Sequence, residues 1–204
     1  MTDTHPKKRA ILEAALAEFR EHGFQAANMD RIAARAPASK RTVYKHFASK
    51  QALFEEISAL LVERTAEASE RPYRAAEGIR DGLEQIARNL VDLYLDPEFL
   101  DTVRMMLAEC FRSPEAARDV WERAHSGEDG LTRWLRQATK DGRLAVSDPV
   151  AAATQLTGML KAFTFWEQVI APSRALPNQA ERQAIVSDSV KTFLARYGEA
   201  PTGF

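Results

Sequence analysis

Apolar residues recur three or four positions apart along almost the whole chain. This spacing is typical of amphipathic helices, and no β-rich run, internal repeat or low-complexity tract interrupts it. The pattern therefore predicts an all-α fold. The predicted helices cover residues 7–22, 29–36, 40–47, 50–70, 76–94, 97–111, 114–125, 129–140, 149–170 and 178–197.

The breaks between these segments carry residues that start and stop helices. Three predicted helices begin with a capping side chain followed by proline, at Asp96-Pro97, Ser113-Pro114 and Asp148-Pro149. Proline is tolerated at the first helical position because its missing N–H group would have no partner there. Asn178 with Glu181 has the spacing of a capping box. Glycines stand where helices are expected to stop, at positions 23, 142 and 198.

Residues 149–170 are apolar on almost every side of the predicted helix, with few polar interruptions. A helix that is apolar all round is buried all round. In a domain of this size one side can face the core and the other side a partner subunit. The alternative is a central helix in the core of a monomer.

Composition places the chain among ordinary globular proteins, with 204 residues, 45% apolar residues and 28% charged residues. Its net charge of −1 does not indicate a nucleic-acid partner, but the charge is unevenly distributed. Residues 1–50 hold ten Lys and Arg against five Asp and Glu, whereas residues 51–204 hold 18 against 24. A basic first module that meets a polyanion and an acidic second module would produce this distribution.

Several classes of site and location are not expected. The single cysteine, Cys110, allows neither an internal disulfide nor a multi-cysteine metal site, and the histidines lack metal-ligand spacing. We predict no cofactor and no metal. The first ten residues lack a secretory signal, and no apolar segment is long enough to span a membrane, so a cytoplasmic location is expected.

The segment 28–50 has the order of elements of a helix-turn-helix: a short helix, a tight break and a second short helix. This unit places its second helix in the major groove of DNA. Ser39 is a suitable N-cap for the second helix. Val43 and Phe47, four residues apart, share a face that would pack on Ile11, Ala15, Phe19 and Ile32. Arg41 and Lys45 then point outward, Thr42 and Tyr44 lie on the two shoulders, and Lys40 and His46 lie nearer the core edge. Arg can bind guanine with two hydrogen bonds, and Tyr and Lys can bind phosphate oxygens.

Cations also begin several of the predicted helices, at Lys7 to Arg9, at Lys40 and Arg41, and at Lys50. A positive side chain at a helix N-terminus opposes the helix dipole, by about 0.3–1 kcal/mol. A bound phosphate would explain this repeated placement, because both the side chains and the free N–H groups would hold it. The alternative is a merely solvated basic face.

Residues 23–57 resemble the DNA-binding domain of the TetR/AcrR family of transcriptional regulators. The matching features are Gly23-Phe24, Ile32-Ala33, Tyr44 with Phe47, Ser49-Lys50 and Leu53-Phe54. The resemblance implies base or phosphate contacts from Arg41, Thr42, Tyr44, Lys45 and His46, a phosphate contact from Lys50, and a cap on the second helix from Asn28. Lys40 joins this predicted DNA-binding set through the dipole argument. Pro37 stands near the glycine of the family's turn, and proline cannot adopt the positive φ of such a glycine.

The resemblance also implies a C-terminal helical domain that binds an effector and forms a dimer through helices 149–170 and 178–197. The predicted domains are 1–50, joined by helix 50–70 to 71–204. Large side chains and two polar anchors are candidate pocket residues, although side chains of this kind are more often ordinary core. The candidates are Asn89, Tyr94, Met105, Glu109, Trp121, Trp134, Phe163 and Trp166.

The leading hypothesis is a homodimeric repressor that binds a palindromic operator and is released when a small-molecule effector moves helix 50–70. A two-fold dimer sets its recognition helices about 34–36 Å apart, which predicts the palindrome. Two rivals stay open: a DNA-binding protein without an effector, and a helical enzyme with a regulator-like N-terminus. We do not expect an enzyme, because no phosphate-binding glycine loop, metal cluster or nucleophile–base pair stands out.

Overall fold

The structure is a computed structural model that describes residues 6–198, and within this range the protein is all-α. The only extended pairing among these residues is an isolated antiparallel bridge between Leu144 and Gly198. The predicted fold class is confirmed. The helices are α1 (Pro6–Ala26), α2 (Met29–Arg35), α3 (Lys40–His46), α4 (Lys50–Ser69), α5 (Ile79–Tyr94), α6 (Pro97–Arg112), α7 (Pro114–Ala124), α8 (Gly130–Lys140), α9 (Pro149–Phe163), α10 (Phe165–Ile170) and α11 (Gln179–Tyr197).

The chain forms two compact units, and both α4 and α6 contribute to each of them. Among the described residues, unit 1 comprises 6–63 and 101–126, and unit 2 comprises 64–100 and 127–198. This division differs from the boundaries expected from the sequence, because most of α6 and all of α7 pack with the N-terminal helices. This packing was not predictable from the sequence, because α6 and α7 are far along the chain from α1.

Unit 1 has one buried apolar cluster that includes side chains from α1, α2, α3, α4, α6 and α7. Ile11, Ala15, Phe19 and Ile32 lie in it together with Val43 and Phe47, as the sequence predicted. Met105 and Ala116 belong to the same cluster. The short helices α2 and α3 therefore gain their stability from tertiary packing, since isolated helices of seven residues are unstable in water.

Unit 2 is built around α5, which packs on α9 and α11, while α9 also contacts α8, α10 and α11. Leu83, Ile86 and Leu90 on α5 are fully or almost fully buried. The hydroxyl of Tyr197 donates to Gln155 Oε1 at 2.8 Å, which joins α11 to α9. The buried residues of α5 recur at three- and four-residue intervals, so one face of this helix lies in the core of unit 2.

The predicted helix starts carry the expected caps. Ser113 accepts a hydrogen bond from the N–H group of Ala116, and Asp148 accepts from those of Val150 and Ala151. Asn178 and Glu181 form the full capping box. At Gly23 the regular part of α1 stops, because this residue has φ 74° and ψ 157°, a conformation that side chains on L-residues disfavour.

The predicted single helix 149–170 is wrong, because the helix breaks at Thr164. This residue has φ −131° and ψ −61°, and its hydroxyl donates to the carbonyl of Leu160 at 2.7 Å. A threonine hydroxyl that bonds back to the preceding turn competes with the helical pattern. In the single chain Val150, Phe163, Trp166 and Ile170 are exposed, so burial of that side by a partner subunit stays a prediction.

Candidate DNA-binding face

The position of α3 is fixed by its cap and by two buried side chains. Ser39 Oγ accepts a hydrogen bond from the N–H group of Thr42 at 3.2 Å, which confirms the predicted N-cap. Val43 is fully buried and Phe47 nearly so. Since these two residues hold one side of a seven-residue helix, the opposite side must face away from the core of unit 1.

The turn between α2 and α3 accommodates Pro37 without any positive φ. Ala36 caps α2 with φ −72° and ψ 142°, and its N–H group donates to the carbonyl of Ile32. The N–H group of Ala38 then donates to the carbonyl of Ala36 at 2.8 Å, across the proline. Ser39 continues with φ −65° and ψ 151°. The chain thus builds its turn from extended residues where a glycine-containing turn would use the left-handed region.

The outward side of α3 carries the predicted cationic and hydrogen-bonding residues. Arg41, Lys45 and His46 are exposed, and 40% of the Tyr44 surface is accessible. Thr42 is half-buried, and its hydroxyl lies 2.8 Å from that of Ser39. His46 and Lys40 are more exposed than the helical wheel predicted. For His46 the reason is local, since α3 ends there and Phe47 turns inward with an extended backbone.

Asp30, which sequence reasoning did not single out, organises two of these residues. Its Oδ1 atom accepts from Lys40 Nζ at 2.7 Å and from the Tyr44 hydroxyl at 3.1 Å. The hydrogen bonds from Lys40 and Tyr44 hold the pKa of Asp30 below its ordinary value. The hydrogen bond to Asp30 raises the pKa of Lys40, and desolvation together with that carboxylate raises the pKa of Tyr44. We call Asp30, Lys40 and Tyr44 the Asp30 cluster.

A second carboxylate, Glu18 on α1, binds two arginines of α2 and so joins α2 to α1. Its side chain has no accessible surface, and its oxygens lie 2.5 Å from Arg31 Nε and 3.2 Å from Arg35 Nε. Burial alone would raise the pKa of Glu18, but the hydrogen bond from Arg31 and the neighbouring positive charges outweigh burial and hold this pKa below its ordinary value. We call Glu18, Arg31 and Arg35 the Glu18 cluster. A glutamate on the apolar face of α1 was the sequence signal for it.

Asn28 is the N-cap of α2, as predicted, since its Oδ1 atom accepts from the N–H group of Arg31 at 2.9 Å. Lys50, for which a phosphate contact is predicted, is the first residue of α4, and in the free protein its side chain is held by the end of α1. Its Nζ atom donates to the carbonyls of Phe24, Gln25 and Ala27 at 2.9, 2.7 and 3.3 Å, and lies 4.9 Å from the centre of the Phe24 ring. All three ammonium hydrogens have acceptors at the end of α1, so Lys50 ties α4 to α1.

Two cations in the first turn of α1, Lys8 and Arg9, also have partners within the protein. Lys8 Nζ lies 2.5 Å from Glu56 Oε1, and Arg9 Nε lies 3.2 Å from Glu13 Oε1. These pairs, with Asp30 beside Lys40, offset the helix dipoles locally. For Lys8, Arg9, Lys40 and Lys50, the position at a helix start therefore does not require a bound phosphate.

The candidate pocket residues are divided between the two units. Met105, Glu109 and Trp121 belong to unit 1, and the other five belong to unit 2. Met105 lies in the apolar core of unit 1. Trp121 is 66% exposed and stacks on His125. The sequence did not indicate which of the candidate pocket residues belong to which unit, because they lie on separate helices.

Glu109 is buried within unit 1 and is held by polar partners. It accepts from Gln25 Nε2 at 3.1 Å and from Arg112 Nη2 at 2.5 Å. The hydrogen bond from Arg112 outweighs burial and, with that from Gln25, lowers the pKa of Glu109. This carboxylate, predicted as a polar anchor for an effector, joins α6 to α1.

Within unit 2 the predicted pocket residues differ in burial. Tyr94 and Trp134 are buried, Asn89 is half-buried and accepts from Gln85 at 3.0 Å, and Phe163 and Trp166 are exposed. The ring of Tyr94 packs edge-on against Phe165, with centroids 5.6 Å apart. Lys161 Nζ lies 5.4 Å from the Tyr94 centroid and 5.7 Å from the Phe165 centroid, and burial lowers the pKa of Lys161.

Two further findings concern the described part of the chain as a whole. Among residues 6–198, no three His, Cys, Asp or Glu side chains are grouped as a metal site requires. No helix in the same range is long and apolar enough to cross a membrane.

Comparison with known proteins gives two family matches. Residues 11–57 match the bacterial regulatory proteins of the tetR family, and residues 81–199 match the C-terminal domain of AefR-like transcriptional repressors. The matches cover the helix-turn-helix and most of the remaining chain.

Similar proteins extend over nearly the whole chain. A TetR family transcriptional regulator from Pseudomonas syringae pv. tomato is 38% identical, with a TM-score of 0.82, over 97% of this chain and 99% of that one. The flavonoid-responsive regulator FrrA is 25% identical, with a TM-score of 0.75, over 97% and 98%. An uncharacterised HTH-type transcriptional regulator of Mycobacterium tuberculosis is 29% identical over 94% of this chain and 89% of its own length. The chain belongs to the TetR family of transcriptional regulators.

Proposed function

We propose that the protein is a homodimeric repressor that binds a palindromic operator and leaves it when a small-molecule effector binds. The observation that carries the DNA-binding part is the outward side of α3. Arg41, Lys45 and His46 are exposed on a helix whose other side is fixed by buried Val43 and Phe47. Such a regulator acts where the bacterial chromosome lies, so the proposed location is the cytoplasm.

The proposed DNA contacts fall into two classes. Arg41 is the base-reading residue, because a guanidinium can bind guanine O6 and N7 with two hydrogen bonds. Thr42, Tyr44, Lys45, His46 and Lys40 contact bases or phosphates beside it. Asn28 supports them by capping α2, and Lys50 by fixing the end of α1. In this proposal Lys50 supports the DNA-binding face by donating hydrogen bonds to backbone carbonyls at the end of α1.

The proposed dimer uses the exposed apolar side of α9 and α10 together with α11. Phe163 is 62% exposed and Ile170 is 78% exposed in the single chain. Exposed large apolar side chains on two adjoining helices are typical of an interface, and a second copy of the chain satisfies the two-fold symmetry of a palindrome. Replacing Phe163 and Ile170 by glutamate is expected to give monomers in analytical ultracentrifugation, whereas Glu122→Gln on α7 leaves the dimer unchanged.

The proposed effector site lies in unit 2 near Tyr94, Phe165 and Lys161. Aromatic rings and one half-buried ammonium offer apolar contact and one polar anchor. Flavonoids are a reasonable first set to screen, given the relative that responds to them. A compound that binds should raise the melting temperature of the wild type and release DNA, and Lys161→Met should reduce both effects.

The experiment that tests the proposal is selection of bound duplexes from a random pool. The wild type is expected to enrich sequences with two inverted half-sites about one helical turn apart, because the symmetry of the operator follows that of the dimer. Recovery of unrelated sequences without symmetry would contradict the proposal.

A further inference from the structure

We propose that the Asp30 carboxylate occupies the place of a DNA phosphate in the free protein, so that Asp30 sets the affinity for duplex DNA by competing with it. This inference rests on the proposed function, since Lys40 and Tyr44 are among the proposed DNA-binding residues. It assigns a role to a residue of α2, which lies outside the proposed DNA-reading helix α3.

In the Asp30 cluster, a carboxylate of the protein itself accepts hydrogen bonds from two donors that could also bind an external anion. The carboxylate accepts from a cation at 2.7 Å and from a phenol hydroxyl at 3.1 Å. Lys and Tyr are also the donors that hold phosphate oxygens in protein–DNA interfaces. The Lys40 ammonium lies 5.9 Å from the centre of the Tyr44 ring, so both donors converge on one region.

Asp30 and a DNA phosphate would compete for the same two donors, Lys40 and Tyr44. A tyrosine hydroxyl has one hydrogen to donate, and in the free protein Asp30 accepts it. Tyr44 must therefore leave Asp30 before it donates to a phosphate. Lys40 has further hydrogens, but its charge is balanced by a carboxylate that would repel an approaching phosphate.

The cluster is accessible, which an exchange with DNA requires. The side chains of Asp30 and Lys40 are 64% and 63% exposed. Arg41, which follows Lys40 on the outward side of α3, is exposed as well. DNA that contacts Arg41 would thus approach the Asp30 cluster directly.

The test measures the affinity of the full-length protein for two duplexes, the selected operator and an unrelated sequence of equal length, by fluorescence anisotropy. Asp30→Asn removes the charge but keeps an oxygen of the same size. We expect it to bind both duplexes more tightly, by about fivefold at moderate salt, because one cation no longer has to leave an internal partner. The factor should be equal on the two duplexes, since the competition is with phosphate.

A matched control separates competition from a general change in charge. Glu21→Gln removes another exposed carboxylate of unit 1, one that pairs with Arg35. It should change the affinity for DNA by much less than Asp30→Asn. In a background with Lys40→Met and Tyr44→Phe, Asp30→Asn should have no effect, because the donors for which it competes are absent.

The outcomes are distinct. Weaker or unchanged binding by Asp30→Asn overturns the inference, as does a tightening that persists in the Lys40→Met, Tyr44→Phe background. A tightening on the operator alone also overturns it, because that result would assign Asp30 to base contact. If the wild type binds no duplex, the proposed function fails, and the inference fails with it.

Discussion

The Glu18 cluster and the Asp30 cluster both join helix α2 to a neighbouring helix through a carboxylate, yet they differ in burial. Glu18 has no accessible surface and receives two arginines, whereas the Asp30 side chain is 64% exposed and receives a lysine and a tyrosine. A buried carboxylate without its partners is strongly destabilising, while an exposed ion pair contributes little to stability. The buried cluster therefore stabilises the fold, whereas the exposed cluster contributes little to stability and is the one that we propose takes part in DNA recognition.

One short helix, α2, can thus carry both a buried and an exposed ionic contact. Arg31 and Arg35 of α2 lie against α1 through Glu18, and Asp30 of the same helix lies against α3. The inner contact fixes the helix, and the outer contact holds donors that an anion can take over.

The largest effect is expected from removing the buried carboxylate. Glu18→Ala leaves Arg31 without its carboxylate partner and leaves Arg35 with Glu21 alone, and we expect unit 1 to lose about 3 kcal/mol of stability. The guanidinium groups are partly exposed, which keeps the loss at the low end of the range for buried pairs. Hydrogen exchange of amides in α1 and α2 measures it.

Asp30→Ala is the matched variant for this comparison and should leave the same amide exchange unchanged. Equal losses in the two variants would contradict the distinction between the clusters.

The next effect concerns Arg41, which lies outside both clusters. Arg41→Ala is expected to weaken operator binding about 10- to 100-fold through loss of a bidentate base contact, while binding to unrelated DNA changes much less. Arg174→Ala, in unit 2, removes the same charge and should affect neither duplex. Anisotropy titrations measure both variants, and an equal loss on operator and unrelated DNA would remove Arg41 from base reading.

A smaller effect follows from the lowered pKa of Glu18. Because the pKa of this group is lower in the folded than in the unfolded protein, its contribution is present above about pH 4.5 and is lost as the pH falls through the folded value. The difference in stability between wild type and Glu18→Gln should therefore shrink as the pH falls below 4.5. Urea titrations at pH 7 and at pH 3.5 measure it, and a constant difference would contradict the assignment.

The smallest expected effect distinguishes two lysines of α3. Lys45 has no acidic partner among the described residues, whereas Lys40 must leave Asp30 to bind phosphate. Lys45→Ala should thus weaken binding to any duplex more than Lys40→Ala does, by a few fold, and should reduce the salt slope by about 0.9. Binding isotherms at several salt concentrations measure both changes. A larger loss for Lys40→Ala would argue against competition by Asp30.

Helical spacing and capping residues were sufficient to predict most helices, the inward position of Val43 and Phe47, and the outward position of Arg41 and Lys45. Contacts between distant residues were not predictable in this way. Lys50 meets carbonyls 23 to 26 residues away, and Asp30 meets Tyr44 from another helix. The break at Thr164 depends on a side chain that bonds its own helix, which apolar spacing does not reveal.

The most direct test of the DNA-binding face is an altered-specificity selection with Arg41→Gln. Arg prefers guanine and Gln prefers adenine in the major groove. Selection from a random pool should therefore give the wild-type palindrome with guanine replaced by adenine at one symmetric pair of positions, and with all other positions kept. Identical selected sequences for the two proteins, or changes spread over the whole site, would contradict the claim that the outward side of α3 reads the operator.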